Sequence, residues 1–230
     1  EEPPDRKKSC SAVELSALEL NRCGLTVSTC KDLSSVVAAN VSLTSLDLSE
    51  NPLGDCGVTE LCQGLLDSHC QLQSLQLHGC HLTAAACEPL SAVLASKPSL
   101  VELNLGGNPL GDPGIHIFCK GMKNPQCGLQ RLKLHQCSLT GAACMDLASV
   151  LETGPTLMEL NLGDNSLGDD GVRQLCLALK KPDCKLRKLA IYLISLLRKY
   201  IKLIKTSVEY SSEVDLSGKV KYSPGKQCPI

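Results

Sequence analysis

Residues 72–82 read LQSLQLHGCHL, and residues 100–110 read LVELNLGGNPL. In the first stretch Leu72, Leu75, Leu77, Cys80 and Leu82 hold the apolar frame; in the second Leu100, Leu103, Leu105, Asn108 and Leu110 hold the same one. The frame also occurs at Leu15, Leu18, Leu20, Cys23 and Leu25, and at Leu43, Leu46, Leu48, Asn51 and Leu53. Two later copies are Leu129, Leu132, Leu134, Cys137 and Leu139, then Leu157, Leu160, Leu162, Asn165 and Leu167. A fading seventh runs through Leu186, Leu189, Ile191, Ile194 and Leu196. The interval between copies alternates between 28 (Leu15 to Leu43) and 29 (Leu43 to Leu72), so the true period is a pair of 57. Self-similarity on this scale means that each unit stacks on its neighbours and that the core is continuous along the stack.

Within a copy the period changes from two to about four. Leu75 and Leu77 alternate with polar residues, as in a half-buried strand. The Asn or Cys three residues on marks the turn out of the strand, where an Asn amide can bridge neighbouring turns and a Cys packs as a small apolar group. From residue 83 a helix is predicted with Cys87, Leu90 and Leu94 on one stripe. Asp112 followed by Pro113 reads as a helix start. Gly54, Gly111 and Gly168 recur once per pair, and turn geometry explains them. The predicted fold is α/β: a solenoid with parallel inner strands and outer helices in six to seven repeats. Residues 1–9 read as a polar linker remnant rather than a targeting segment, 10–189 as the solenoid, and 190–230 as a C-terminal cap.

Composition narrows the function classes. The chain of 230 residues has one Phe, four Tyr and no Trp. It contains no uncharged apolar window of about 18 residues, so no membrane span is expected. Twelve of the fifteen cysteines fall into four series of period 57: Cys23/80/137, Cys30/87/144, Cys62/119/176 and Cys70/127/184. Members of one series lie two repeats apart, too far to bridge. Neither Cys-x-x-Cys nor a zinc-type spacing occurs, so no metal is expected and the thiols read as buried and reduced, as in the cytoplasm. Residues 185–230 hold ten Lys/Arg against three Asp/Glu; the remainder is acidic, a poor surface for nucleic acid. The five histidines form no catalytic spacing; His78 and His135 occupy one repeat position, a full pair apart.

The alternating pair resembles the ribonuclease-inhibitor class of leucine-rich repeats. Residues 51–58 (NPLGDCGV), 61–66 (LCQGLL) and 77–83 (LHGCHLT) bring it nearer to the repeats of pyrin-containing NOD-like receptors, the cytosolic inflammasome sensors. The match covers about residues 10–190. It implies a ligand-sensing, autoinhibitory or protein-docking module, monomeric as a fragment, with no cofactor of its own: ATP would belong to the NACHT domain of a parent receptor. Implied partners are other proteins, that NACHT domain, or muramyl dipeptide. A stoichiometric blocker of ribonuclease-inhibitor type is the alternative. Residues 190–230 resemble the C-terminal caps of extracellular leucine-rich-repeat receptors such as jawless-fish variable lymphocyte receptors, and both a native and a grafted cap stay open.

The candidate partner surface is the strand face: Glu19, Asp47, Gln76, Asn104, Lys133 and Asn161, flanked by Arg22, Glu50, His78, Arg131 and His135. Arg131, Lys133 and His135 are expected to form a basic cluster able to meet a carboxylate.

Overall fold

The computed structural model describes residues 15–154, 156–191, 210–214 and 220–224. The chain order is β1 (Ala17–Glu19), α1 (Val27–Ala39), β2 (Ser45–Asp47), α2 (Gly54–Leu66), β3 (Ser74–Gln76), a 3-10 turn (Ala84–Ala86) leading into α3 (Cys87–Ser96), and β4 (Glu102–Asn104). It continues with α4 (Gly111–Met122), β5 (Arg131–Lys133), α5 (Gly141–Thr153), β6 (Glu159–Asn161), α6 (Gly168–Leu179) and β7 (Lys188–Ile191). Strands β8 (Tyr210–Val214) and β9 (Val220–Pro224) follow. Strands β1 to β7 pair in parallel, in sequence order, with leucine opposite leucine: Leu18, Leu46, Leu75, Leu103, Leu132, Leu160, Leu189. This is the α/β solenoid that the repeat predicts.

The C-terminal end differs in kind. β9 pairs antiparallel with β7, and β8 pairs antiparallel with β9. The boundary expected between 189 and 190 falls inside β7, because Ala190 still lies in parallel register with Asn161. Most of the expected C-terminal cap, residues 192–209, 215–219 and 225–230, lies outside the described residues, as do residues 1–9.

One continuous core links the sheet to the helices. Leu46, Leu48, Leu75, Leu77, Leu103 and Leu105 are fully buried, and so is Phe118. Burying each such side chain stabilises the stack by about 2 kcal/mol relative to leaving it in water. The first repeat is looser: Leu18, Leu20 and Leu25 are only partly buried.

Two kinds of joint alternate along the stack. Where a Cys copy precedes an Asn copy, the asparagine ties them. The Asn108 amide donates from Nδ2 to Leu77 O at 2.8 Å and Leu105 O at 2.9 Å. Its Oδ1 accepts from the backbone N–H of Cys80 at 2.9 Å and Leu82 at 3.0 Å. Asn51 and Asn165 repeat this arrangement. The helices of these pairs also lie close. A Cβ on Gly64 or Gly121 would stand 2.1 or 2.3 Å from the carbonyl oxygen of Ser34 or Ser91. Gly57, Gly114 and Gly171 admit the sulfur of Cys30, Cys87 and Cys144 in the same way, which accounts for that cysteine series.

Where an Asn copy precedes a Cys copy, the joint is an aspartate. Asp55 accepts from the Thr83 backbone N–H at 2.7 Å and from its hydroxyl at 2.6 Å. Asp112 holds Thr140 in the same way. Asp112 therefore does not cap its helix, as its place before Pro113 suggests; α4 begins one residue earlier, at Gly111, whose φ is +63°. The thiols of Cys80 and Cys137 add donors to Leu48 O and Leu105 O, at 3.2 and 3.3 Å.

Every described cysteine is a free thiol, but not every one is buried: Cys23 and Cys56 are exposed. Burial pushes the thiols of Cys62, Cys87, Cys119, Cys137 and Cys144 up to about 12, so they stay protonated in the folded chain at pH 8. Iodoacetamide at pH 8, read by peptide mass spectrometry, is expected to label Cys23 and Cys56 within minutes and those five only after urea unfolding. Equal labelling of Cys87 or Cys137 in the folded chain would contradict the packing.

Candidate binding surface

The open face of the sheet is the surface that the stack does not consume. Each three-residue strand buries its middle leucine and turns its two outer residues to this face. The strand register aligns these into two rows. One is Ala17, Ser45, Ser74, Glu102, Arg131, Glu159 and Lys188; the other is Glu19, Asp47, Gln76, Asn104, Lys133, Asn161 and Ala190.

The residues singled out from sequence separate into three groups. Asp47, Asn104 and Asn161 serve their own chain: each side-chain oxygen accepts the backbone N–H two residues on, from Ser49, Gly106 and Gly163 at 2.9 to 3.1 Å. These are turns of the kind short polar side chains favour, and they shape the strand exit. Glu19 is exposed at the β1 edge.

A second group centres on Glu102, which a reading of the sequence omits. Its carboxylate accepts from Arg131 Nε at 2.9 Å, Lys133 Nζ at 3.1 Å and Gln76 Nε2 at 3.3 Å. Two flanking strands, β3 and β5, thus converge on one acid of β4. Burial raises its pKa, but the hydrogen bonds and charges of Arg131 and Lys133 outweigh this and hold it below its ordinary value. The expected basic cluster is therefore corrected: the carboxylate that Arg131 and Lys133 meet is internal. Beside it, Lys188 Nζ lies 2.9 Å from Glu159 Oε2. Glu102, Glu159 and Lys188 share the repeat position of Arg131, and that shared position is the signal available in the sequence.

The third group sits where the chain leaves the strands. His78 and His135 stack with centroids 5.1 Å apart and planes 18° from parallel. They meet over Gly106 and Gly107, where a Cβ would stand 2.1 Å from His135 and 2.7 Å from His78. His78 Nε2 lies 3.2 Å from Glu50 Oε1. The Nδ1 atoms of both rings are buried and find no hydrogen-bond partner among the described residues. Burial, and then the neighbouring His78, lower the pKa of His135, which favours the uncharged ring in the stack. His135 therefore does not extend the basic cluster at neutral pH; it forms a flat imidazole rim beside it. Arg22 and Glu50 both adopt positive φ, 56° and 59°, in equivalent turns.

The surface is thus a charged sheet with a flat imidazole rim. Among the described residues no group of three metal-ligating side chains converges, and no helix is long and apolar enough to cross a membrane.

Comparison with known proteins bears on what such a face does. The leucine-rich-repeat family model matches residues 39–62, 96–116 and 155–176. Ribonuclease inhibitor of Mus musculus is 46% identical over 179 residues, 78% of this chain and 39% of the inhibitor. NACHT, LRR and PYD domains-containing protein 12 of Mus musculus is 47% identical over 186 residues, 81% of this chain and 17% of that protein. NACHT, LRR and PYD domains-containing protein 3 of Mus musculus is 45% identical over 193 residues, 82% of this chain and 19% of that protein. The chain therefore spans about two fifths of the inhibitor and less than a fifth of the other two.

Proposed function

Because the repeats of this chain belong to the leucine-rich repeats, homologous to those of ribonuclease inhibitors and of NACHT, LRR and PYD domains-containing proteins, we propose that it is the protein-docking module of a cytosolic innate immune receptor of the inflammasome type. It works without cofactor or catalysis. Its open sheet face meets a protein, either the NACHT domain of its own receptor or a separate partner. The observation that carries this reading is the row Glu102, Arg131, Glu159 and Lys188, alternating in sign across four consecutive strands. Packing does not require these charges, since the stack is held by leucines, asparagines and glycines. Alternating charge on a rigid scaffold fixes the register of a partner and rejects mismatched ones. A small anionic ligand such as muramyl dipeptide would have to displace Glu102 from Arg131 and Lys133, which makes a protein the better occupant.

The kinship to ribonuclease inhibitor supports a second reading, a stoichiometric blocker of a basic enzyme. Charge-removing variants of this one face test both. Surface plasmon resonance with the receptor's NACHT domain is expected to show binding that weakens about tenfold or more in the Arg131→Ala, Lys133→Ala, Lys188→Ala variant. Unchanged affinity would remove this face from the interface. Inhibition of pancreatic ribonuclease by the same chain, relieved by Glu102→Ala with Glu159→Ala, would favour the blocker instead.

A further inference from the structure

Two positions on the helical side break the pattern of the repeat. Lys31, Glu88 and Met145 are equivalent in α1, α3 and α5, and Gln63, Lys120 and Leu177 are equivalent in α2, α4 and α6. All six are exposed. The earlier copies show that the stack accepts a charged or polar side chain at both places. The last pair carries apolar ones instead, Met145 67% and Leu177 50% exposed. Stacking therefore does not demand them.

The seam beneath them also changes. In α3 and α4 the Ser91 hydroxyl donates to Ile117 O at 3.2 Å, next to Gly121. In α5 and α6 the equivalent residues are Ala148 and Ala178, so the seam is floored by methyl groups. A groove of about 540 Å³ opens there, with Met145, Ala148 and Leu177 along it and Glu152, Lys180 and Lys181 at one end. Lys180 and Lys181 directly follow the C-terminal end of α6.

We propose that this groove docks an amphipathic helix of a partner protein, running antiparallel to α5 and α6, with an apolar ridge on Met145 and Leu177 and an acidic first turn against Lys180 and Lys181. Three features select that occupant. The groove takes a few side chains, far short of the roughly 20–30 residues a side of a standard stable interface, which disfavours a second copy of the chain. Residues spaced i, i+3 and i+4 on one helix face suit a strip formed by Met145 of α5 and Leu177 of α6. An antiparallel helix also brings its positive N-terminal end to the negative C-terminal ends of α5 and α6, and carboxylates in its first turn are favoured both by its own dipole and by the two lysines.

The test uses the whole chain and a fluorescein-labelled helical peptide with leucines on one face and Asp/Glu in its first turn, read by fluorescence anisotropy. A control peptide carries Lys in place of the acids. The acidic peptide is expected to bind at micromolar concentration, about tenfold more tightly than the lysine peptide. The Met145→Glu, Leu177→Lys variant, which copies residues of the earlier repeats, is expected to keep its melting temperature and lose binding about tenfold or more. Should that variant fail to fold, Lys180→Glu with Lys181→Glu must invert the preference between the two peptides. No binding at about 1 mM, equal binding of both peptides, or undiminished binding by a folded variant would each overturn the proposal.

Discussion

Replacing Asn108 by alanine is expected to lower the free energy of unfolding by about 3–5 kcal/mol, a large share of the stability of an ordinary domain. The side chain is fully buried. Its removal strands the Leu77 carbonyl and two backbone N–H groups, those of Cys80 and Leu82, and leaves Leu105 O only the weak thiol donor of Cys137. Water cannot reach them without opening the leucine layer on either side. Asn108→Asp keeps both acceptor contacts but points a carboxylate at two carbonyls, so it should cost at least as much. Asn165, which makes the same bonds at a less buried place, supplies the graded comparison, with a smaller loss for Asn165→Ala. Urea unfolding followed by far-ultraviolet circular dichroism reads all three. An Asn108→Ala midpoint close to that of the parent chain would mean that the leucines alone hold the joint.

Gly121→Ala is the second large effect, at about 3 kcal/mol of destabilisation. Here the cause is volume. The new methyl would lie 2.3 Å from Ser91 O, a backbone atom that cannot swing away, and α4 must lift off α3. Gly54 provides the contrast. Its φ is +63°, but nothing lies within 4 Å of the position its Cβ would take, so Gly54→Ala meets only the left-handed backbone cost of about 1–2 kcal/mol. The two variants, compared by thermal unfolding, separate steric crowding from conformational preference. Equal losses would show that Ser91 yields more readily than close helix packing allows.

How much of this is legible in the sequence depends on distance along the chain. The leucines, the strand–turn–helix order and the bridging role of asparagine follow from spacing that recurs along the chain, and the structure places them as spacing predicts. The glycines at 54, 111 and 168 read as turn residues, and they take positive φ at the first residues of α2, α4 and α6. The reason for Gly64 and Gly121 is not readable, because it lies in the carbonyl of a neighbouring helix. The face fares similarly. Which residues share it follows from register, but Asp47, Asn104 and Asn161 look like ligands in a row of letters and act as turn formers in space. Glu102 escapes notice because its importance comes from Gln76, Arg131 and Lys133 reaching towards it from two other strands. Burial of the periodic cysteines fails at Cys23, which is exposed, and is incomplete at Cys176 and Cys184, because periodicity describes the interior of the stack but not its ends; Cys56, also exposed, lies outside the four series.

The alternation of asparagine and aspartate joints has a consequence for how such a chain can change its length. An asparagine copy grips backward onto a cysteine turn, and an aspartate grips forward onto a threonine. Excise one copy, and two turns of the same type become neighbours, with either two amides competing for one seam or none to serve it. Excise or duplicate a whole pair, and every grip finds its mate. The array therefore has a quantum of growth twice the size of its visible motif, and relatives of different span are expected to differ from it by whole pairs.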